Sequence, residues 1–190
     1  TSEDAIEFPL PYEIHITVSA KEGEIDNEFI EHFKASCQSL DVKPISLDLE
    51  NNSGESIKDV MTSSRFIGDN RSVYEEVQRI KNGLEYRRFK VVREKVETVP
   101  WHPGSPKKSG DKMPKNCYFE AHIGCIISEE QKEQLNFITK SHNAHLSRNA
   151  FKKLEDGKFV NMVTLRNYGG TKNDFDCDVK TLSSKLKSNK

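Results

Sequence analysis

The stretch "PYEIHITVSA", Pro11–Ala20, decides how the first part of the chain folds. It alternates apolar and polar residues, and in a β-strand successive side chains point to opposite faces. The apolar face fits a protein core and carries Ile14, Ile16 and Val18. The polar face carries Glu13, His15 and Thr17. The sequence therefore predicts a half-buried strand with a carboxylate, an imidazole and a hydroxyl on its second face.

The same pattern returns in the second half of the chain, in "CYFEAHIGCII", Cys117–Ile127. Its "FEAHI" matches the "YEIHI" of the first stretch. The apolar positions are Phe119, Ala121 and Ile123, and the polar positions are Glu120 and His122. Each half of the chain therefore offers a Glu-x-His pair on the strand face that points away from the core.

Another pair of segments also matches: "MTSSRFIG", Met61–Gly68, aligns with "MVTLRNYG", Met162–Gly169. The spacing from Met to Arg is the same in both, and so is the spacing from Arg to Gly. Alternation puts a hydroxyl and a guanidinium on one face of each strand: Ser63 with Arg65, and Thr164 with Arg166. Self-similarity of this kind is the mark of an internal repeat. We therefore predict a tandem duplication.

The hydrophobic periodicity gives the order strand, helix, strand, strand, helix, strand for the first copy, and the same order without the last strand for the second. We predict an α+β fold, a tandem duplication of a β-α-β-β-α-β (ferredoxin-like) unit. It has two antiparallel sheets with helices on their outer faces and a polar groove between. The second copy has no counterpart of "FKVVREKV", Phe89–Val96, so its sheet is shorter or its last strand lies beyond Lys190. Residues 1–99 form the first lobe, 100–116 a linker or lid rich in Pro, Gly and Lys, and 117–190 the second lobe of a single compact unit.

The charge and the cysteines narrow the class of protein. The net charge is -1 and the sequence pI is near 6.6, so no overall field draws the chain to nucleic acid or to an anionic membrane. The start "TSEDAIEFPLP" is acidic where a secretion signal is basic and then apolar, and no apolar run is long enough for a membrane helix. Four cysteines without a C-x-x-C pair favour reduced thiols: Cys37, Cys117, Cys125 and Cys177. We expect a cytoplasmic protein.

The two polar strand faces are the candidate site. If the apolar residues of each copy pack on its helices, both Glu-x-His pairs point toward the groove between the lobes. Arg65 and Arg166 belong to the same faces of their strands. Buried charges are costly unless they neutralise one another or hold a ligand, so such a cluster marks a site. A strand face open to water alternates in the same way, and a structural role for each pair is the alternative.

The first functional interpretation is phosphoester or nucleotide chemistry. "HIT", His15–Thr17, and "HLS", His145–Ser147, both have the form H-x-[TS], which resembles the motif of the two-histidine phosphoesterase superfamily. The resemblance implies a bilobal enzyme in which one histidine acts as general base and the other as general acid, while Thr17 and Ser147 hold the phosphate. The duplication instead pairs His15 with His122, which makes His122 a further catalytic candidate. Three arginines are candidates for anion binding: Arg65, Arg148 and Arg166.

The second interpretation is a divalent metal site with two imidazole and two carboxylate ligands, namely Glu13, His15, Glu120 and His122. Nitrogen and oxygen ligands that meet across a pseudo-two-fold axis suit Fe, Mn, Ni or Zn. The ligand set resembles that of duplicated metalloenzymes of the vicinal-oxygen-chelate type, although the order of elements differs.

The third interpretation is a binding module without catalysis. A basic loop with an aromatic side chain could contact phosphates and stack a base, and it contains Trp101, Lys107, Lys108, Lys112 and Lys115. The expected partner is a small anionic or phosphorylated ligand, and nucleic acid is possible but not favoured. A short second sheet with an open edge is compatible with a monomer or a homodimer.

Six blocks of the sequence also resemble a family of small duplicated α+β proteins whose function is not known. The blocks are "EIHITV", "MTSS", "PWHPGSP", "CYFEAHI", "AHLSRNAFKK" and "VTLRNYGG", and they extend over nearly the whole chain. The resemblance implies a genuine folded unit and transfers no catalytic residue.

Overall fold

The protein has an α+β fold with antiparallel sheets of four and three strands, as the hydrophobic pattern predicts. The computed structural model describes residues 9–19, 25–50, 56–154 and 159–188. Within these residues the chain forms seven strands, four α-helices and one short 3-10 helix. It divides into two compact units, Thr1–Ser46 with Lys58–Val99, and Leu47–Ile57 with Pro100–Lys190.

The first unit is built on four strands in the order β4-β1-β3-β2. Its elements are β1 (Leu10–Ser19), α1 (Asn27–Ser39), the start of β2 (Lys43–Glu50), most of β3 (Ser56–Gly68), α2 (Asn70–Tyr86) and β4 (Lys90–Thr98). The central strand β1 pairs antiparallel with β3 on one side and with β4 on the other. Any side chain on β1 therefore has neighbours from two strands.

The second unit has three strands in the order β6-β7-β5. Its elements are β5 (Phe119–Ile126), the 3-10 turn η1 (Glu129–Gln131), α3 (Lys132–Ser141), β6 (His145–Lys153), β7 (Phe159–Asn167) and α4 (Lys172–Ser188). The chain passes from the first unit to the second within β2, whose residues Leu47–Leu49 pair antiparallel with β6. The central strand of this unit is β7, which pairs with both β5 and β6.

Each unit has its own hydrophobic core. The core of the first unit joins the apolar face of β1 to the apolar stripes of α1 and α2, and includes Ile14, Ile16, Phe33, Ile80 and Leu84. These five side chains are fully buried. The core of the second unit joins β5 and β7 to α3 and α4, and includes Phe119, Leu135, Val163, Phe175 and Leu182. The apolar residues of each helix repeat every three to four positions, and this stripe packs against the strands of the same unit.

The loop that joins β4 to β5 belongs to the second unit. Pro106 in this loop is buried, and its carbonyl accepts a hydrogen bond of 3.2 Å from the backbone N–H of Lys172 at the start of α4. Trp101 and the loop lysines are exposed. Within the described residues, no helix combines the length and the apolar character needed to cross a bilayer.

Truncation of a core side chain in the first unit tests this packing. We expect Phe33→Ala to lower the free energy of unfolding by about 3–5 kcal/mol, because a buried ring is lost and a cavity is left behind. Phe137→Ala is the matched control, since Phe137 on α3 is 75% exposed and should change stability by less than about 0.5 kcal/mol. Urea denaturation measures both. Equal effects of the two substitutions would contradict the assigned core.

The reactivity of the cysteines tests the burial of α1. Burial raises the pKa of the Cys37 thiol from its ordinary 9.0 to about 12, whereas Cys117 and Cys177 are exposed. With Ellman's reagent at pH 8, we expect the exposed cysteines to react at once and Cys37 to react only after unfolding. Because the folded-state pKa lies above the ordinary value, Cys37 costs stability only as the pH rises above about 9. Rapid labelling of Cys37 in the folded protein would contradict this assignment.

Candidate functional site

The polar face of β1 carries a cluster of titratable side chains in the first unit. Glu13 lies directly opposite Glu97 of β4, and His15 lies directly opposite Lys95. Directly opposed residues of antiparallel strands point to the same face, so all four side chains share it. One nitrogen of His15 and one oxygen from each glutamate lie within 4.8 Å of one another.

A hydrogen bond to the backbone of β3 fixes the ring of His15. Nδ1 lies 3.2 Å from the carbonyl oxygen of Thr62. A carbonyl only accepts, so Nδ1 carries the proton and Nε2 of the neutral imidazole holds the lone pair. Nε2 lies 3.7 Å from Oε1 of Glu13 and 3.9 Å from Oε2 of Glu97, and the His15 side chain is mostly buried. A lone pair thus faces two carboxylates.

The two carboxylates of this cluster are held by different partners. The hydroxyl of Ser63 donates to Oε1 of Glu13 at 3.2 Å. The ammonium of Lys95 lies 2.6 Å from Oε1 of Glu97. Like charges directly opposite each other on neighbouring strands are unfavourable. One lysine faces two carboxylates, so these three groups together carry a net negative charge.

Arg65 lies on the other side of Glu13, as its direct partner in β3. Its side chain is exposed and forms no hydrogen bond or ion pair within the part of the chain that the structure describes. Alternation along β3 correctly predicts that Ser63 and Arg65 share a face with Glu13. Arg65 forms no ion pair with Glu13 among the described residues. Its guanidinium lies next to the cluster and can bind an anion.

The second unit repeats this layout with a different pairing of charges. Glu120 of β5 is the direct partner of Arg166 of β7, and His122 is the direct partner of Thr164. Nε of Arg166 donates to Oε2 of Glu120 at 2.6 Å, and Nε2 of His122 lies 3.0 Å from Oε1 of the same carboxylate. Nδ1 of His122 lies 2.9 Å from the hydroxyl of Thr164. Both oxygens of Glu120 therefore already have a cationic or N–H partner.

The surroundings of Arg166 strengthen this ion pair. Burial acts to lower the pKa of Arg166, but the hydrogen bond and the charge of Glu120 outweigh it, so the pKa of the guanidinium is raised. The guanidinium also lies 5.3 Å from the centre of the Tyr118 ring, within the range of a cation–π contact. Arg166, predicted as an anion-binding residue, is thus engaged with a carboxylate of its own unit.

Of the remaining predicted residues, His145, Ser147 and Arg148 belong to the second unit, and Thr17 of the first unit is buried. Thr17 is 2% exposed, and its hydroxyl has no hydrogen-bond partner within the described residues. His145 is exposed at the start of β6 and is a direct partner of Thr164, so it shares a face with His122 in the second unit. Ser147 and Arg148 follow on β6 and are half-buried. Within the first unit, the structure therefore brings together His15 and Glu13 but none of these four.

Glu97 is the site residue that the sequence analysis missed. The sequence around Glu97 predicts a strand. It does not predict which strand pairs with it, or in which register. Once β4 is known to pair with β1, parity alone puts Lys95 and Glu97 on the face of His15. The alternation of β4 therefore shows which of its residues share a face, but the sequence does not show that β4 pairs with β1.

Comparison with known proteins adds little to this geometry. No protein-family model matches the sequence, and no curated protein matches it. A crystal structure of a proposed monooxygenase from Lactobacillus acidophilus NCFM is 10% identical in sequence, covers 95% of this chain and 87% of that chain, and has a TM-score of 0.29. With a TM-score this low, the likeness carries no inference about the fold or the chemistry of this chain.

The contrast between the two arginines can be measured. We expect Arg166→Met to lower the free energy of unfolding by about 1–3 kcal/mol, because it leaves the buried carboxylate of Glu120 without its guanidinium partner. The equivalent Arg65→Met should change stability by less than about 0.5 kcal/mol, since Arg65 is exposed. Urea denaturation of both variants distinguishes the two pairings. A larger loss for Arg65→Met than for Arg166→Met would contradict the described geometry.

Proposed function

We propose that the first unit binds a divalent cation through Glu13, His15 and Glu97, and that the bound cation recruits a small phosphorylated ligand. One observation carries this proposal. The Nε2 lone pair of His15 faces two carboxylate oxygens, at 3.7 and 3.9 Å. Three electron-rich atoms that converge in this way repel one another unless a cation lies between them.

The separations favour a metal ion over a proton as that cation. An imidazolium that donates to a carboxylate lies about 2.7–2.9 Å from it, and both distances at His15 are much longer. The three ligand atoms lie within 4.8 Å of one another, so small side-chain movements would bring each of them to about 2.0–2.2 Å from one shared ion, the usual distance of zinc from nitrogen or oxygen ligands. The bond from Nδ1 of His15 to the carbonyl of Thr62 is the kind of support that orients metal-binding histidines.

The ligand set narrows the choice of metal. One imidazole and two carboxylates form a mixed nitrogen and oxygen site, which suits Mn²⁺, Fe²⁺ or Zn²⁺ better than the softer thiolate-binding ions. The three ligands come from β1 and β4 alone. They leave further positions of the ion open to water or to a ligand.

Charge points to a phosphorylated ligand. A divalent ion more than offsets the net negative charge that the two glutamates keep after Lys95 is counted. The exposed guanidinium of Arg65, beside Glu13, adds a second positive group. A divalent ion with a nearby arginine is a common arrangement for phosphate oxygens, because arginine binds them through paired N–H groups. The class of chemistry that follows is metal-assisted hydrolysis or transfer of a phosphoester.

The duplication belongs to this proposal. In both units a Glu-x-His strand pairs antiparallel with a strand that carries a hydroxyl residue and an arginine, and each glutamate lies directly opposite the arginine. The same register supports descent of both units from one β-α-β-β-α unit. On this view the cluster of the first copy stayed able to bind a cation. In the second copy, the ion pair with Arg166 neutralises the carboxylate of Glu120.

Other expectations from the sequence stay predictions. These are the pairing of His15 with His145, the four-ligand set that adds Glu120 and His122, the groove between the lobes and the monomeric or homodimeric state. A cytoplasmic location accords with four cysteines that form no disulfide within the described residues.

Metal titration tests the cation site. We expect the protein to bind one Mn²⁺ in isothermal titration calorimetry, with affinity lowered at least about tenfold by His15→Ala or Glu97→Gln, because each removes a ligand. His142→Ala is the matched control and should leave Mn²⁺ affinity unchanged, since His142 belongs to no group of candidate metal ligands among the described residues. Absence of Mn²⁺ and Zn²⁺ binding, or equal losses for His15→Ala and His142→Ala, would contradict the proposal.

A separate assay tests the phosphoester chemistry. With Mn²⁺ present, we expect slow hydrolysis of 2′,3′-cyclic mononucleotides that EDTA abolishes and that Glu97→Gln eliminates. Arg65→Met should raise KM with little change in kcat, since Arg65 contributes binding and not a metal ligand. Metal binding without turnover would keep the cation site and reject hydrolysis, in favour of the binding module.

A further inference from the structure

The second unit contains a cavity that the proposed cation site does not use. It has a volume of about 530 Å³, within the range of small-molecule sites in proteins. Its walls come from β5, α3 and α4, and are mostly apolar: Ile123, Cys125, Ile127, Leu135, Ile138 and Leu186. Several of these side chains are only partly buried, although they pack against the core of the second unit. The cavity is therefore an apolar groove that is open on one side.

The two units differ in which edges of β1 and β5 are paired among the described residues. There, β4 pairs with the edge of β1 that faces away from β3. Phe89, just before β4, is buried and packs edge-on against Phe29 and Phe33, with ring centres 5.6 and 5.5 Å apart. In the described part of the second unit, β5 pairs with β7 and no strand lies along its other edge. The cavity is lined by residues of β5, whose second edge no described strand covers.

The polar side chains that line the cavity are Gln131, Gln134, Ser183 and Lys187. Lys187 and Gln131 both offer N–H donors. Lys187 of α4 has no ion pair or hydrogen bond with any residue that the structure describes. The carbonyl oxygen of the Gln131 side chain accepts from the backbone N–H of Ser128 at 3.1 Å, which turns the amide NH₂ of Gln131 away from Ser128. An ammonium and an amide NH₂ beside an apolar groove complement a ligand with an anionic head and an apolar tail.

We propose that this cavity binds a medium-chain carboxylate, with its hydrocarbon chain against Leu135, Ile138 and Leu186 and its carboxylate on Lys187 and Gln131. The hydrocarbon chain removes apolar surface of the groove from water, and the head group gives Lys187 the charge partner that it lacks. The site is independent of the cation site, because all of its residues belong to the second unit.

Isothermal titration calorimetry tests the roles of the hydrocarbon chain and of the carboxylate separately. The whole protein is titrated with decanoate, decanol and acetate. We expect decanoate to bind, decanol to bind at least about tenfold more weakly, and acetate not to bind. Lys187→Met should weaken decanoate about tenfold and leave decanol unchanged. Lys180→Met is the matched control, since Lys180 is an exposed lysine of the same helix outside the cavity lining.

Alkylation of cysteines locates the ligand. Cys125 lines the cavity, whereas Cys117 and Cys177 are exposed and do not line it. Saturating decanoate should slow the reaction of Cys125 with iodoacetamide several-fold and leave the other two rates unchanged. Equal decanoate affinity in Lys187→Met and the parent protein, or no protection of Cys125, would overturn the proposal. So would a dimer that forms through β5 in sedimentation velocity while decanoate fails to bind, because the groove would then be a strand-pairing edge.

Discussion

The complete burial of Ile14 and Ile16 on one face of β1 is the constraint on which the candidate site depends. A strand alternates its side chains with a period of two, so burying these residues forces Glu13 and His15 onto the opposite face. A slip of one residue would put a carboxylate and an imidazole into the core, and burying such polar groups without partners costs several kcal/mol. The hydrophobic core of the first unit therefore fixes the site as firmly as any contact within it.

Neighbouring strands then decide what these side chains can do. β3 supplies the carbonyl of Thr62, which sets the tautomer of His15 and leaves the lone pair on Nε2. β4 supplies Glu97 directly opposite Glu13. In the second unit, the hydroxyl of Thr164 and the carboxylate of Glu120 flank His122 instead, and a ring whose Nε2 donates to Glu120 offers no lone pair there. Both Glu-x-His tripeptides thus turn Nε2 of the imidazole toward a carboxylate, at 3.7 Å from Glu13 for His15 and at 3.0 Å from Glu120 for His122.

The sequence predicts much of the fold and less of the site, for reasons that particular residues make plain. Alternation is a local property, so the core face of β1 and the shared face of Ser63 and Arg65 could be predicted without any knowledge of pairing. The contribution of Glu97 could not, because register between β1 and β4 depends on tertiary packing. The difference between Arg65 and Arg166 could not be predicted either. Both follow the same pattern, and only the conformations of their long side chains separate an exposed guanidinium from a paired one.

The most direct test of the account is an anomalous difference map from crystals of the protein grown with MnCl₂. The account predicts a peak about 2 Å from Nε2 of His15 and from one oxygen each of Glu13 and Glu97, with the bond from Nδ1 of His15 to Thr62 unchanged. A well-ordered first unit with no peak at these three side chains would contradict the central claim.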